Sequence, residues 1–454
     1  MLKYFIIIIA VGFVYESVLW LYRLFVAYSW IKKERLNHHV SSLYPHEIYI
    51  LLPVLAEADI LENTAEYFNT RFMAGRNDTF LVIITTEKEN LNAEPTRNTI
   101  HIARDLAQQN EKIIHIHFPA KNGKMAHQLN YAIHELSSRV NGIGDSDLIA
   151  VYNADSRPEK ETFDWVRGKF KIGDTHVFQQ YGCYTKNIPQ MKNLPWKSVL
   201  ISASMWQTRW AIGFEMFNAL KQLKFIDKKD TLKLNYPLNY CIGHGLFITP
   251  QIFKTVGGFS EDMHNEDAIL GLQLSNMQEL IMPVPYFDTS ESPDSLGMLY
   301  KQKSNWYFGP LQSYAYFAYI LKKSNYSFYR KFRIFVLSSK LFLHAIFWIV
   351  GPSLIALGLI VGVVEHDLMF LLIVTASLTL FGVPSLVSYI FMLQLKTPPF
   401  SISMGQAMRS LIKGFFICYM LHGASAYRGM GKYIKQLISG QITTKEKTVI
   451  KRTG

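Results

Sequence analysis

Cysteine and charge are both scarce in this chain of 454 residues. Its three cysteines stand far apart without a CxxC pair, which excludes a disulfide scaffold and CxxC-type zinc sites and indicates a reducing environment for the soluble part. Only 18% of the residues are charged, against roughly 25% in soluble domains, and 49% are hydrophobic. A disordered protein is therefore excluded. The sequence has neither internal repeats nor Gly/Ser linkers, but it does have long apolar runs.

The net charge of +12 is compatible with a membrane surface, a nucleic acid or an anionic substrate. Lysine and arginine cluster beside the apolar runs and in the tail at 432–452, rather than along the middle of the chain. This placement favours membrane lipids over nucleic acid as the partner of the basic residues.

Three apolar runs are long enough to cross a bilayer, at 4–30, 341–364 and 368–395. Glu16 and Arg23 interrupt the first run, and the other two contain no Asp, Glu, Lys or Arg. A signal peptide is the alternative for the first run, but its apolar character continues past Glu16. The sequence therefore predicts an integral membrane protein.

The positive-inside rule predicts how these runs are oriented. The basic residues of 32–35 and 320–333 belong on the cytoplasmic side, whereas the link at 365–367 carries no Lys or Arg and can lie outside. A shorter apolar segment at 411–427 is predicted to lie along the interface, because a full span would export the basic tail.

Between the apolar ends, short Ile- and Val-rich runs alternate with amphipathic stretches, at 48–55, 79–85, 112–118 and 147–153. Such alternation predicts parallel strands in an α/β sheet. Ligands of these sheets bind beyond the carboxyl ends of the strands, so the residues that follow each run are the candidates for function.

Neither GxGxxG nor GxxxxGK[ST] follows any of these strands, which disfavours a Rossmann dehydrogenase and a P-loop enzyme. Lys121 and Lys124 follow the third strand and Asp155 follows the fourth. This set suits a metal-bound diphosphate, with Asp155 as an oxygen ligand of Mg²⁺ or Mn²⁺. Strand-end capping and ordinary surface lysines are the alternative.

Two later segments carry further candidates. Glu266 and Asp267 open an apolar helix, where they could supply a general base or simply complement the helix dipole. Gln302 to Trp306 precedes an aromatic stretch at 307–320, and a tryptophan there could equally belong to a membrane-interface belt.

In this order, the segments between 46 and 310 resemble the membrane-integrated family 2 glycosyltransferases, inverting enzymes of GT-A fold that include cellulose, chitin, hyaluronan and poly-N-acetylglucosamine synthases. Asn153-Ala154-Asp155 resembles the DxD motif with its first Asp replaced, and Asn265-Glu266-Asp267 corresponds to Thr-Glu-Asp. Gln302 to Trp306 is similar to QxxRW, with Asn305 in place of Arg.

The resemblance implies a role for each candidate residue. Asp267 is the expected general base with Glu266 beside it, and Asp155 is the expected ligand of Mg²⁺ or Mn²⁺. The expected donor-binding residues are Pro53, Glu57, Glu87, Lys124 and Asn153. The expected acceptor-binding residues are His244, Gln302 and Trp306.

The resemblance also implies how the chain is organised, with an α/β GT-A domain flanked by transmembrane helices. The expected segments are an N-terminal transmembrane helix (1–35), a cytoplasmic GT-A domain (46–295), interfacial helices with the QxxNW motif (296–333), a C-terminal transmembrane region (334–430) and a basic tail (431–454).

The expected activity is transfer of a sugar from a nucleotide-sugar donor to a growing polysaccharide, coupled to translocation across the cell membrane. A single transfer to a lipid-linked acceptor is one alternative. A non-catalytic subunit that binds a nucleotide is another, and an accessory export or synthase subunit is a possible partner. No nucleic-acid partner is expected.

Overall fold

The computed structural model describes residues 2–37, 47–91, 98–139, 142–170, 175–191, 193–225, 236–239, 241–323, 325–397 and 402–439. Most of the predicted basic tail, 440–454, lies outside the described residues. The chain divides into two compact units. We call them the helical unit (Met1–Lys32, Cys183–Phe217 and Ser290–Gly454) and the sheet unit (Lys33–Gly182 and Asn218–Thr289).

Eight strands form one sheet in the order β3-β2-β1-β4-β7-β6-β8-β5. Their bounds are β1 Ile48–Pro53, β2 Thr79–Thr86, β3 Ile113–Phe118, β4 Leu148–Val151, β5 Arg157–Pro158, β6 Val177–Cys183, β7 Leu246–Ile248 and β8 Ile281–Thr289. The pairs β1–β2, β1–β4 and β2–β3 are parallel, as the sequence predicts. The pairs β4–β7, β6–β7 and β5–β8 are antiparallel, so the sheet is mixed.

The central strands are apolar on both faces because both faces of the sheet are covered. In β1, Ile48, Ile50 and Leu52 point into one hydrophobic core, whereas Tyr49 and Leu51 point into the other. This alternation follows from the two-residue period of a strand, and it fixes the register of the sheet.

The sheet unit contains helices α2 Leu61–Phe68, α3 Thr99–Gln109, α4 Met125–Ser137, α5 Thr162–Lys169, α9 Pro250–Val256 and α10 Glu266–Met277, and a 3₁₀ turn at Glu87–Leu91. Helix α8, Phe217–Leu223, lies at the unit boundary. Capping side chains mark the start of two of these helices. The side chain of Asn98 accepts a hydrogen bond from the amide of His101, and Thr249 caps α9 ahead of Pro250.

The helical unit contains α6 Ile188–Met191, α7 Lys197–Trp210, α11 Leu296–Leu311, α12 Ser313–Lys323, α13 Phe328–Val364, α14 Leu368–Gln394 and α15 Met404–Ser439, together with most of α1, Leu2–Leu36. Three helices are long and apolar enough to cross a membrane, at Lys3–Leu36, Phe328–Val364 and Leu368–Gln394. They contain the three apolar runs of the sequence and support a membrane protein. The segment at 411–427 lies within α15.

Small residues let α15 approach its neighbours closely. A Cβ at Gly414 would collide with the backbone of Ser198 at the start of α7, and one at Gly429 would lie 3.0 Å from the carbonyl oxygen of Ser304 in α11. Aromatic side chains fill the adjacent core, where Trp206 of α7 lies 5.6 Å from the ring of Phe415. This core is separate from the two cores of the sheet unit.

Candidate functional site

The ends of neighbouring strands bring the predicted donor-side residues to one edge of the sheet unit. Pro53 is the last residue of β1, Glu87 follows β2, and Asn153 and Asp155 follow β4. Since β1, β2 and β4 are parallel neighbours, their carboxyl ends lie at the same edge. The strand topology therefore places these four residues where the sequence predicts a ligand.

The turn after β4 holds Asp155 in a defined place. The amide of Asn153 donates to Oγ of Ser156 (3.2 Å), and the amide of Ser156 donates to the carbonyl oxygen of Asn153 (3.1 Å). Asp155 lies between them and is half-buried. Within the described ranges no cluster of three His, Cys, Asp or Glu side chains surrounds it. A metal bound there would take further oxygen ligands from the substrate and water.

A second carboxylate near this turn, Asp288 at the end of β8, was not predicted from the sequence. It is fully buried, and it accepts hydrogen bonds of 2.7 Å from Ser156 Oγ, the amide of Arg157 and His244 Nδ1. Burial alone would raise the pKa of Asp288, but these hydrogen bonds outweigh burial and hold the pKa below its ordinary value. Asp288 therefore binds these three donors as a carboxylate.

The predicted general base lies beside the segment from Cys241 to Gly245, which we call the acceptor loop. Asp267 stands in the first turn of α10, and a Cβ built on Gly243 would lie only 3.3 Å from its Oδ2. Burial raises the pKa of the Cys241 thiol, and the charge of Asp267 raises it further. Asp267 is half-buried, whereas the adjacent Glu266 is 4% exposed. Of the two carboxylates, Asp267 is the more accessible.

His244 belongs to the acceptor loop but is itself buried. Besides the bond from its ring to Asp288, its carbonyl oxygen accepts a hydrogen bond from Gln179 Nε2 (2.9 Å). The amide of the next residue, Gly245, donates to Val151 in β4 (2.7 Å). The predicted contact between His244 and an acceptor stays a prediction, and these bonds place His244 where it fixes the loop.

Lys124 is the N-cap residue of α4, and its Nζ donates to the carbonyl oxygen of Glu261 (3.2 Å). Six residues on, the side chain of Asn130 forms a pair of hydrogen bonds with the backbone of Phe259, at 2.9 and 3.0 Å. Gly258 precedes Phe259 with a φ of +78°, a left-handed conformation that glycine adopts without strain. Helix α4 and the turn at 257–259 are thus held together by hydrogen bonds.

A chain of hydrogen bonds supports Glu87. His117 Nε2 lies 3.1 Å from Oε2 of Glu87, and Thr85 Oγ1 lies 2.9 Å from His117 Nδ1 and 2.8 Å from His115 Nε2. Burial and the neighbouring His117 lower the pKa of His115 to about 4. The histidines come from β3, so the end of that strand orients the carboxylate that follows β2.

Glu57 is held by the start of α3 through its backbone. Its amide donates to Oγ1 of Thr99 (3.0 Å), and the amide of Thr99 donates to Glu89 (2.8 Å). Glu89 also accepts from the amide of Ala56 (3.3 Å), so this buried carboxylate stabilises the turn after β1. A single acid in a 3₁₀ turn gives no sequence signal of this kind, which is why Glu89 was not predicted.

Gln302 and Trp306 lie on α11, which belongs to the helical unit. The other predicted site residues belong to the sheet unit. Nζ of Lys303 lies 4.2 Å from the ring centroid of Trp306 and 3.4 Å from Oε1 of Gln207. Burial lowers the pKa of Lys303 to about 8.

Residues 227–428 match the sequence model of a protein family described as glycosyl transferase family group 2. The match includes the acceptor loop, the Glu266–Asp267 pair, Gln302 to Trp306 and the apolar helices α13 and α14, and it leaves out the strands before 227. No curated protein matches the chain.

Two solved structures are similar to this chain at low sequence identity. The mannosyltransferase PcManGT from Pyrobaculum calidifontis, in complex with GDP-Man and Mn²⁺, is 12% identical at a TM-score of 0.43, covering 92% of this chain and 99% of that chain. S. aureus TarS 1-349 is 11% identical at a TM-score of 0.36, covering 87% of this chain and 92% of that chain.

The structure and the comparisons support two expectations from the sequence. The fold contains a mixed α/β sheet domain, with apolar helices at the N-terminus and in the C-terminal region. The match of residues 227–428 to the model of glycosyl transferase family group 2 supports the expected enzyme class. The roles of the individual site residues and the predicted domain boundaries stay predictions.

Proposed function

We propose that this chain, a glycosyltransferase of family 2, transfers a sugar from a nucleotide-sugar donor to a growing polysaccharide with inversion, and that transfer is coupled to translocation across the cell membrane. One observation carries the proposal. In the sheet unit, the turn that presents Asp155 and the acceptor loop beside Asp267 are joined through Asp288. The turn that carries Asp155 is thus hydrogen-bonded through Asp288 to the loop beside which Asp267 lies.

The reaction is a single displacement. Asp267 accepts the proton of the acceptor hydroxyl, whose oxygen bonds to the anomeric carbon from the face opposite the nucleotide. The bond from that carbon to the diphosphate breaks on the other face, so the configuration inverts and the nucleoside diphosphate leaves with the electron pair. Lys124 is proposed to offset the charge of the leaving diphosphate.

A divalent cation fits the residues present. Asp155 is a hard oxygen donor, and Mg²⁺ in such sites commonly takes one or two carboxylates together with phosphate oxygens and water. Bound there, Mg²⁺ or Mn²⁺ would neutralise charge on the diphosphate. Pro53, Glu57, Glu87 and Asn153 are proposed to contact the rest of the donor.

Trp306 and Gln302 are proposed to contact the acceptor, and the sheet unit is proposed to face the cytoplasm, where nucleotide sugars are made. The single-transfer alternative, with a lipid-linked acceptor, is favoured by Asn305. This buried amide stands where processive members have an arginine. An accessory export or synthase subunit remains part of the first proposal.

Incubation of membranes containing the full chain with a panel of radiolabelled nucleotide sugars, followed by sizing of the product, tests the proposal. We expect a high-molecular-weight product with one donor. A product of one sugar on a lipid would instead establish the single transfer, and no incorporation from any donor would favour the non-catalytic subunit.

Asp267→Asn tests the base. The amide keeps the shape of the side chain but cannot accept a proton, so we expect transfer to fall by about 10²–10⁴-fold. Binding of the donor should change little, because Asp267 lies at the acceptor loop. The matched control is Asp262→Asn, an exposed carboxylate five positions earlier. Near wild-type transfer by Asp267→Asn would make Glu266 the next residue to test.

A further inference from the structure

Asp288 is a fully buried carboxylate with an unusual set of donors. It accepts two hydrogen bonds from the turn after β4, through Ser156 Oγ and the amide of Arg157, and another from His244 in the acceptor loop. The partners are separated by 132, 131 and 44 positions in the chain. One side chain therefore joins two loops that the sequence keeps far apart.

Both loops lead directly to the predicted chemistry. Ser156 is adjacent to Asp155, and it also accepts the hydrogen bond from the amide of Asn153 that closes the turn. His244 is adjacent to Gly243, against which the carboxylate of Asp267 lies. The path from Asp155 to Asp267 runs through Ser156, Asp288 and His244.

The bonds to Asp288 are of the strong kind. All three measure 2.7 Å, and hydrogen bonds to an ionised acceptor are roughly twice as strong as those between neutral groups. Asp288 is 0% exposed, so water cannot replace a lost donor. The two loops are therefore held at a fixed separation as long as Asp288 and both side-chain donors are present.

We propose that Asp288 is a positioning residue that sets the distance between the donor-side turn at Asp155 and the acceptor loop at Asp267. The inference rests on the proposed function. Displacement at a carbon requires the nucleophile and the leaving group to lie in line, and a shift of about 1 Å far from the reacting atoms can cost 10²-fold in rate. Asp288 supplies that alignment without touching the substrate.

The first experiment measures the coupling between the loops without using transfer. Cys241 lies in the acceptor loop and is 1% exposed, so its alkylation by a maleimide, followed by mass spectrometry, reports opening of that loop. Asp288→Asn places an amide hydrogen among three donors, and Ser156→Ala removes one donor from the opposite loop. We expect both to increase the alkylation rate of Cys241 by about tenfold or more.

Three controls separate this coupling from a general loss of structure. Cys418, in the helical unit, should keep its alkylation rate in every variant. Glu159→Gln changes another carboxylate, which is half-buried and accepts a hydrogen bond from the amide of Phe287 in the same strand as Asp288 (3.0 Å), and it should leave Cys241 protected. His244→Asn retains an NH group near the position of Nδ1 and should protect Cys241 better than His244→Leu.

The second experiment measures transfer kinetics with the full chain in detergent. Ser156→Ala alters the donor-side turn, yet we expect it to raise the KM for the acceptor, since Asp288 transmits the change to the other loop. His244→Leu should raise the divalent-cation concentration needed for half-maximal rate. Because both act through one carboxylate, the double variant should be no worse than Asp288→Asn.

Two results would overturn the proposal: unchanged alkylation of Cys241 in Asp288→Asn and Ser156→Ala, or faster alkylation with unchanged acceptor KM. Failure of the proposed function gives a different result, namely a wild-type chain that transfers no sugar. In that case the alkylation of Cys241 still decides whether Asp288 couples the two loops.

Discussion

Arg209 and Lys303 are both buried in the helical unit, and neither forms an ion pair within the part of the chain that the structure describes. The guanidinium of Arg209 donates to the carbonyl oxygen of Phe381 (2.7 Å) and lies near three aromatic rings, which suits a weakly hydrated cation. Among the described residues, the close contacts of the Lys303 ammonium are Oε1 of Gln207 and the ring of Trp306. Because an ammonium is more strongly hydrated than a guanidinium, burial at this position stabilises the charge of Lys303 less than that of Arg209.

Lys303→Met should therefore stabilise the protein near neutral pH. The pKa of Lys303 falls from 10.5 to about 8 on folding, so the folded state binds fewer protons than the unfolded state between these values. The stability of the wild type should accordingly rise with pH across that window. At pH 7 the buried charge costs roughly 3 kcal/mol, which methionine removes.

Thermal unfolding in detergent at pH 7 and pH 10 measures this difference. We expect Lys303→Met to raise the Tm at pH 7 and to raise it much less at pH 10. Lys301→Met, an exposed lysine of the same helix, should change the Tm little at either pH. An equal gain for Lys303→Met at both pH values would show that packing, rather than charge, is responsible.

Asp155 and Asn153 make a second residue-scale prediction, on the metal. With one carboxylate in the turn, transfer should require divalent cation at concentrations on the order of millimolar. Asp155→Ala should abolish transfer, whereas Asn153→Asp should keep it and lower the concentration of Mn²⁺ required. Full activity of the wild type in excess EDTA would show that Asp155 binds no metal and only caps the end of the strand.

At the scale of elements, the glycines of α15 decide how closely the helices of the helical unit pack. Gly414→Ala should destabilise the protein by about 1–3 kcal/mol, because the added methyl group collides with the backbone of Ser198. Gly431→Ala is the matched control in the same helix. Nothing lies within 4 Å of its new Cβ, so alanine should stabilise by about 0.4–1 kcal/mol. Thermal unfolding measures both variants. If the two substitutions shift the Tm in the same direction, the close approach of α15 to Ser198 is contradicted.

For the whole molecule, one pair of contacts bears on membrane topology. Lys3, in the first turn of α1, forms ion pairs with Glu365 and with Asp367 (3.2 Å) in the link between α13 and α14. The start of α1 and this link therefore lie at the same end of the helical unit. The opposite end of α1 carries Lys32, Lys33 and Arg35, so the positive-inside rule predicts that the link is outside.

Single introduced cysteines test this topology, because the native cysteines are all buried. We expect an impermeant maleimide added to intact cells to label Glu365→Cys, and to label Ser327→Cys and Lys435→Cys only after permeabilisation. Labelling of Lys435→Cys in intact cells would mean that α15 crosses the membrane and exports the basic tail. The unsubstituted chain is the control for background labelling.

The sequence by itself was sufficient for features that depend on neighbouring residues. Runs of branched apolar side chains predicted β1 to β4, and long apolar runs predicted the three helices that could cross a membrane, because hydrophobic patterning is a local property. The glycosyltransferase resemblance likewise used short segments such as Asn265 to Asp267 in their order along the chain.

Only the tertiary structure decided the antiparallel half of the sheet and the grouping of Cys183–Phe217 with the helical unit. Helix α7 has 14 residues, too few for a span, and its sequence alone does not distinguish burial among other helices from burial beneath a sheet. Asp288 is a similar case. A lone aspartate in a strand carries no periodic signal, and its donors lie 44 to 132 positions away, so its role exists only once folding has brought the two loops together.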